Sequence, residues 1–303
     1  MAWLQLHIAT DSRHADAFQD ALEALGAQAV TLSDGADQPV LEPPPGARPL
    51  WNAIVVTALF GADIAIEAIL AALASQGLDT GTPRIERLEE QHWERAWMDG
   101  FAPMRFGERL WIVPSWSEPP EPGAVNLKLD PGLAFGTGSH ETTALCLEWL
   151  ESTPLAGRTV LDYGCGSGVL AIAAVLLGAD RALGTDIDDQ ALTASRDNAT
   201  ANGIARRLAL CPPARMPADY GCDVLVANIL AGPLIELAPA LAGYCRPGAH
   251  LALSGILAGQ AAAVRAAYAP WFDLNPTRQK GDWVRVDGIL KSPEGSRQHG
   301  PGT

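Results

Sequence analysis

The sequence predicts an α/β protein in two parts: a small α+β domain, then a larger, mainly parallel sheet with helices on both faces. Three observations carry this expectation. Residues 159 to 168 run as a short apolar strand ending in an acid, followed by glycines at 164, 166 and 168 and then a helix-like run. Strand-like and helix-like segments alternate from there to Leu253, the pattern of βα units that stack strands in parallel. The first ninety residues carry their own β-α-β-β-α-β order. With 303 residues and 48% hydrophobic content, the chain can bury a substantial core in one large domain and a smaller companion.

In chain order, Trp3, Leu4, Leu6 and Ile8 begin a strand, and Ser12 is the expected cap of a helix reaching Leu25. Residues 28–33 and 50–57 read as strands, Asp63 opens a second helix ending near Gly77, and 85–88 closes the set. This order fits a small ferredoxin-like, split β-α-β domain over residues 1–87, with Pro43-Pro44-Pro45-Gly46 as an exposed turn. It contains no catalytic constellation, so its expected task is to grip a substrate. Residues 88–101 are expected to form a charged helical linker, with Trp93 and Trp97 four apart for packing and His92 as a polar surface residue. Residues 107–129 read as hairpin-like. The glycine-punctuated stretch 129–143 then opens a helix, with Ser139 as its expected cap and Thr143 one turn in, where a hydroxyl can face a ligand. Phe135 in that stretch can stack on a flat ring or join the core.

Gly164, Gly166 and Gly168 remove alternate side chains from a strand-to-helix turn, so the backbone can approach a ligand closely. Dinucleotide-binding loops share the device but space it Gly-x-Gly-x-x-Gly, and here the third glycine comes one position early. Asp162 just before the loop suits a cation rather than a phosphate. S-adenosylmethionine carries an ammonium and a sulfonium and no phosphate, so the loop chemistry favours it. Asp186 lies twenty residues beyond Gly166, at the tip of the next strand, where an acid accepts from both ribose hydroxyls. Asp188 and Asp189 read as caps of the helix over 190–202. Asn228, at the end of the strand 223–227, reads either as a site residue or as a turn asparagine binding its own backbone. Two strands, 272–278 and 283–290, are expected to form a closing antiparallel hairpin, followed by a disordered tail from 292 to 303.

A formal charge of −14 argues against unspecific binding to a nucleic-acid backbone and accommodates a basic protein partner. The longest apolar run, 169–177, is too short to cross a bilayer and no basic, apolar leader opens the chain, so a cytoplasmic location without membrane contact is expected. Five cysteines form no Cys-x-x-Cys pair and six histidines are scattered, so neither a disulfide framework nor a metal site is expected. Cys165 reads as a small filler of the loop, and His140 as a hydrogen-bonded loop histidine.

Taken together, the segments 129–143, 162–168, 184–188 and 228–232 resemble the PrmA family, bacterial methyltransferases of large-subunit ribosomal protein L-eleven. The opening Met-Ala-Trp-Leu-Gln-Leu, Trp93-Glu94-Arg95-Ala96-Trp97-Met98, 104–111 and 254–257 are similar to that family as well, and only the tail past Lys291 falls outside. The resemblance implies a seven-stranded, Rossmann-like methyltransferase domain over 102–291. It implies an S-adenosylmethionine site contributed by Thr143, Gly164, Asp186 and Asn228, beside Gly166, Asp162 and Phe135. It further implies that the first domain recognises the ribosomal protein. Apart from the resemblance, a monomer is expected, with lysine or chain-terminal amines as substrates and Asn228 orienting the amine or the cofactor's methionine end. Many amino methyltransferases that act on planar nitrogens carry Asn-Pro-Pro-Tyr where this chain has Asn228-Ile229-Leu230-Ala231, a difference that points to a flexible sp³ amine. The alternatives are a methyltransferase of RNA or a small molecule, a nicotinamide oxidoreductase, and a binding module without turnover.

Overall fold

The computed structural model describes residues 3–36, 51–88, 101–130, 140–217 and 219–292. The residues of the turn expected at Pro43–Gly46 and of the linker helix expected to carry His92, Trp93 and Trp97, together with Phe135, Ser139 and the residues beyond 292, lie outside the described residues. The chain divides into two compact units, Met1–Gly100 and Phe101–Thr303.

In the first unit, strand β1 (Trp3–Asp11) alternates so that Leu4, Leu6 and Ile8 are buried, and β3 (Ala53–Gly61) does the same with Ile54, Val56, Ala58 and Phe60. A side-chain period of two puts each set on one face of the sheet. With β2 (Ala29–Asp34) and β4 (Arg84–Leu88) the sheet order is β2-β3-β1-β4, antiparallel throughout. Helices α1 (Ala15–Ala24) and α2 (Ile66–Ser75) cover the buried face with Ala15, Phe18 and Leu22, and with Ile66, Ile69 and Leu73, at the three- and four-residue spacing of one helical stripe. Ser12 is not the cap of α1. The Asp11 carboxylate accepts the N–H groups of Arg13 and His14 at 3.0 and 3.2 Å, because an ionised acceptor at the strand end outcompetes a hydroxyl for those donors.

The second unit opens with β5 (Met104–Phe106), β6 (Leu110–Val113) and β7 (Val125–Lys128). The pair β5–β6 is a hairpin, but β6 and β7 run parallel, which corrects the hairpin expected over 107–129. The link 114–124 carries Pro114, Pro119, Pro120 and Pro122, and it is long enough to return the chain to the start of a parallel strand. The order then follows α3 (Glu141–Ser152), β8 (Thr159–Tyr163), α4 (Val169–Leu176), β9 (Arg181–Thr185), α5 (Asp189–Ala201), β10 (Leu208–Cys211), β11 (Cys222–Asn228), α6 (Ala231–Gly243), β12 (Cys245–Leu257) and α7 (Ala261–Tyr268), and ends in β13 (Phe272–Leu274), β14 (Arg278–Lys280) and β15 (Trp283–Leu290).

The main sheet has the order β10-β9-β8-β11-β12-β15-β13. From β10 to β12 the strands are parallel, and β15 is antiparallel to its neighbours. Central strands read as unbroken apolar runs because both faces are covered. Val224, Val226 and Ala252 face a layer built from α3 and α4, whereas Leu225, Ala227, Leu251 and Leu253 face one built from α6 and α7.

The strand expected over 272–278 is broken at Asn275-Pro276-Thr277, and its halves β13 and β14 each pair with β15. Pro276 has no N–H for the ladder. Asn275 fills the break, donating its backbone N–H to the Asp287 carbonyl and its amide to Asp287 Oδ2, both at 2.8 Å. Asp287 also meets Arg285 at 3.0 Å, and Arg285 donates to the Leu145 carbonyl of α3 at 2.9 Å, so a buried ionic network ties the hairpin to the helix layer.

Removing one partner of this buried pair leaves an uncompensated charge. Asp287→Ala is expected to lower the unfolding free energy by about 3 kcal/mol, against less than about 1 kcal/mol for Lys280→Ala in the exposed Lys280–Glu148 pair, as read from urea midpoints at constant slope. Equal losses for the two variants would contradict this account.

Candidate active site

The loop Gly164–Gly168 lies at the carboxyl ends of β8, β9 and β11, where open α/β sheets bind ligands. Its backbone is held from three sides. The Thr185 carbonyl accepts the N–H groups of Gly164 and Cys165 at 2.8 and 3.0 Å. Asp186 Oδ2 accepts the N–H of Gly166 at 2.9 Å, while its Oδ1 accepts that of Asp188 at 3.0 Å. From α5, Ser195 Oγ donates to the Gly166 carbonyl and Asn198 Nδ2 to the Ser167 carbonyl, each at 2.9 Å. Gly168 caps α4 in the left-handed region at φ +79°, and a Cβ there would stand 2.7 Å from Ser195 Oγ. A side chain at 168 would therefore strain the turn and push away the helix that holds it. Asp188 caps α5 by accepting the N–H of Gln190 at 2.8 Å, as its position before that helix requires.

This loop forms one wall of a cavity of about 580 Å³. The structure brings Thr143, Gly164, Gly166, Asp186 and Asn228 together on its lining, along with Ile187, Leu230 and Glu236. Both charged lining residues, Asp186 and Glu236, are acidic; among the described residues no lysine or arginine faces the cavity. Ile187 and Leu230 are 90% and 51% exposed, an unusual outlay of apolar surface at one rim. Asn228 Nδ2 lies 3.3 Å from Thr143 Oγ1, which joins the tip of β11 to the first turn of α3.

Asp162 does not line this cavity. It is fully buried behind the loop, where Oδ2 accepts the N–H of Ala171 at 3.0 Å and Oδ1 has no partner among the described residues. Burial, with the Asp186 charge beside it, pushes its carboxyl up to about 7, so it is no fixed negative charge aimed at a ligand. Cys165 is buried and its thiol is pushed well above the ordinary range by burial, in keeping with a filler.

A second cavity of about 410 Å³ shares Asn228, Ile229 and Leu230 with the first and is completed by His140, Thr142, Gly255 and Trp283. The His140 and Trp283 rings meet edge to face with centroids 5.1 Å apart. The cap of α3 is His140, whose Nδ1 accepts the N–H of Thr142 at 3.3 Å; the expected cap Ser139 lies outside the described residues. No carboxylate stands among the described residues of this lining.

Sequence reasoning missed Ser195, Asn198, Ile187 and Trp283. Ser195 and Asn198 left a signal, since they lie three apart on one face of a helix that follows a ligand-facing strand tip. Trp283 left none, because only the hairpin returns it to the site.

The family of ribosomal protein L11 methyltransferases (PrmA) matches residues 2–291. Proteins named ribosomal protein L11 methyltransferase from Azotobacter vinelandii and Pseudomonas aeruginosa (strain LESB58) are 60% and 59% identical to this chain, over 96% and 95% of it and 100% and 98% of their own lengths. The crystal structure of a ribosomal protein L11 methylase from Lactobacillus delbrueckii subsp. bulgaricus, 34% identical, covers 63% of this chain and 98% of its own with a TM-score of 0.57. The chain belongs to the ribosomal protein L11 methyltransferase family, and is a protein methyltransferase with an α/β fold.

Proposed function

We propose that the larger cavity binds S-adenosylmethionine and that the protein methylates amino groups of ribosomal protein L-eleven, on lysine side chains, the chain terminus or both. One observation carries the cofactor reading: a glycine-loop cavity whose charged lining residues, among those described, are Asp186 and Glu236 suits a cationic, phosphate-free adenosine ligand. Asp186 by itself suits the ribose of either nucleoside. Asp186 still has lone pairs for ribose hydroxyls after accepting two backbone N–H groups. The exposed faces of Ile187 and Leu230 offer a flat base the apolar contact that water does not.

S-adenosylmethionine supplies an electrophilic methyl group on a sulfonium. The protein must present a neutral amine to it. A lysine with a pKa of about 10.4 is neutral roughly once in 2,500 at pH 7, a cost of about 4.6 kcal/mol. The second cavity suits this task, because its described lining holds Ile229, Leu230 and Trp283 and no carboxylate to hold the ammonium form. Asn228 stands where the two cavities meet, and its bond to Thr143 fixes the side chain. Its amide or backbone carbonyl orients the incoming amine, with positioning as the principal contribution. His140 accepts a backbone N–H through Nδ1, so taking a proton there would break its own cap.

The same reading treats β13 and β14 as halves of one interrupted strand, which makes the sheet seven-stranded and Rossmann-like. The antiparallel order β2-β3-β1-β4 with two helices on one face supports a ferredoxin-like first unit, whose proposed task is to recognise the ribosomal protein. No helix among the described residues is long and apolar enough to cross a membrane, which fits a cytoplasmic enzyme.

Incubation with methyl-labelled cofactor and total ribosomal proteins, followed by mass spectrometry, is expected to place label on L-eleven; label on RNA alone would favour the rival substrate class. Asp186→Ala is expected to weaken cofactor binding about tenfold or more by calorimetry, and an unchanged dissociation constant would remove Asp186 from the site. A chain lacking residues 1–87 is expected to keep cofactor affinity and lose methylation of the ribosomal protein; normal modification would contradict a recognition role for the first unit.

A further inference from the structure

The chemistry proposed above leaves Asp162 without a task. It stands in β8 opposite Gly184 of β9 and Val226 of β11, and is 0% exposed. Oδ2 accepts the N–H of Ala171 in the first turn of α4, and Oδ1 is buried with no partner among the described residues. An ionised carboxylate here is desolvated with a single donor, whereas a carboxylic acid is neutral. The titratable groups that face it are Asp186 across the loop, Cys165 within the loop and Cys146 of α3. Arg285 faces Cys146 but is paired with Asp287, and no cation is among the groups that shift Asp162.

We propose that Asp162 is a proton-exchanging positioning residue: its carboxyl is protonated in the free protein and gives up that proton when a cationic ligand settles against Asp186 and the glycine loop. The inference rests on the cationic cofactor assigned above. On release the O–H bond breaks, its electron pair stays on the carboxylate, and the proton passes to the buffer. The negative charge gained behind the loop then balances the positive charge gained in front of it. Asp186 is the hinge of this coupling. Its charge helps to hold the proton on Asp162, and an incoming cation both offsets that charge and attracts the new carboxylate. Once ionised, Asp162 makes a charge-assisted bond to Ala171, tightening the start of α4 against the loop.

The sign of the pH effect follows. Because a proton leaves on binding, affinity rises with pH while free Asp162 is protonated and levels off above about 7. A fully released proton gives about tenfold per pH unit on the rising limb.

The test is calorimetry of S-adenosylmethionine binding to the full chain near pH 6.5, in two buffers of different ionisation enthalpy. The wild-type protein is expected to release a measurable fraction of a proton, more than with S-adenosylhomocysteine, whose sulfur is neutral. Asp162→Asn keeps an acceptor for Ala171, and is expected to bind the ligand with that excess release lost and the pH dependence flattened. Binding without proton release by the wild-type protein, or the same release by the variant, overturns the inference while leaving the cofactor assignment standing. No binding of S-adenosylmethionine at all would overturn both. Should the variant fail to fold, infrared difference spectra of the wild-type protein decide: a protonated-carboxyl band lost on binding supports the inference, and its absence from the free protein overturns it.

Discussion

Gly166 is held by both of its backbone groups, its N–H by Asp186 and its carbonyl by Ser195, and the rest of the site is arranged around that grip. A loop stripped of alternate side chains has high conformational freedom, and it needs outside partners to adopt one shape. Here they come from the tip of β9 and from α5, with Asn198 holding Ser167 in the next position. Asp186 therefore does two things at once. It braces the loop through Gly166 and Asp188, and it presents its remaining lone pairs to the cavity.

The electrostatics follow from which residues are absent around that cavity as much as from which are present. Among the described residues of its lining the charged ones are Asp186 and Glu236. Behind the loop, Asp162 adds a carboxyl group whose proton is held by burial and by Asp186. Burial first, and the Asp186 charge across the loop with it, raise the cost of ionising Asp162. The second cavity shares Ile229 and Leu230 with the first, adds Trp283, His140 and Thr142, and has no carboxylate among its described residues. Asn228 lies on the edge that the two cavities share.

Much of this was legible in the residues. The opening Trp3, Leu4, Leu6 and Ile8 marked a strand, the run over 50–57 marked another that the structure places at Ala53–Gly61, the runs at 159–163 and 223–227 marked apolar strands, and Asp188 marked the start of its helix. Local chemistry misled where two neighbours competed for one job. Asp11 took the donors expected of Ser12, and His140 took the cap expected of Ser139. The closing hairpin was legible as a hairpin, but the break at Pro276 depends on how Asn275 and Asp287 satisfy the interrupted ladder. Between β6 and β7 the direction of pairing lay in a proline-rich link whose path has no periodicity to read.

By itself the sequence marked the β-α-β-β-α-β order of the first residues, the glycine loop and the acid Asp186 at the next strand tip, because periodicity, turn chemistry and strand-tip position are local properties; the set Thr143, Gly164, Asp186 and Asn228 came from the resemblance to the family. Only the tertiary structure decided that Asp162 faces inward rather than toward the ligand, that Ser195 and Asn198 hold the loop, and that Trp283 joins His140. Those outcomes depend on which side of a strand is covered and on which distant segment returns to cover it. Both are settled by packing across the sheet, at separations in the chain that no local pattern spans.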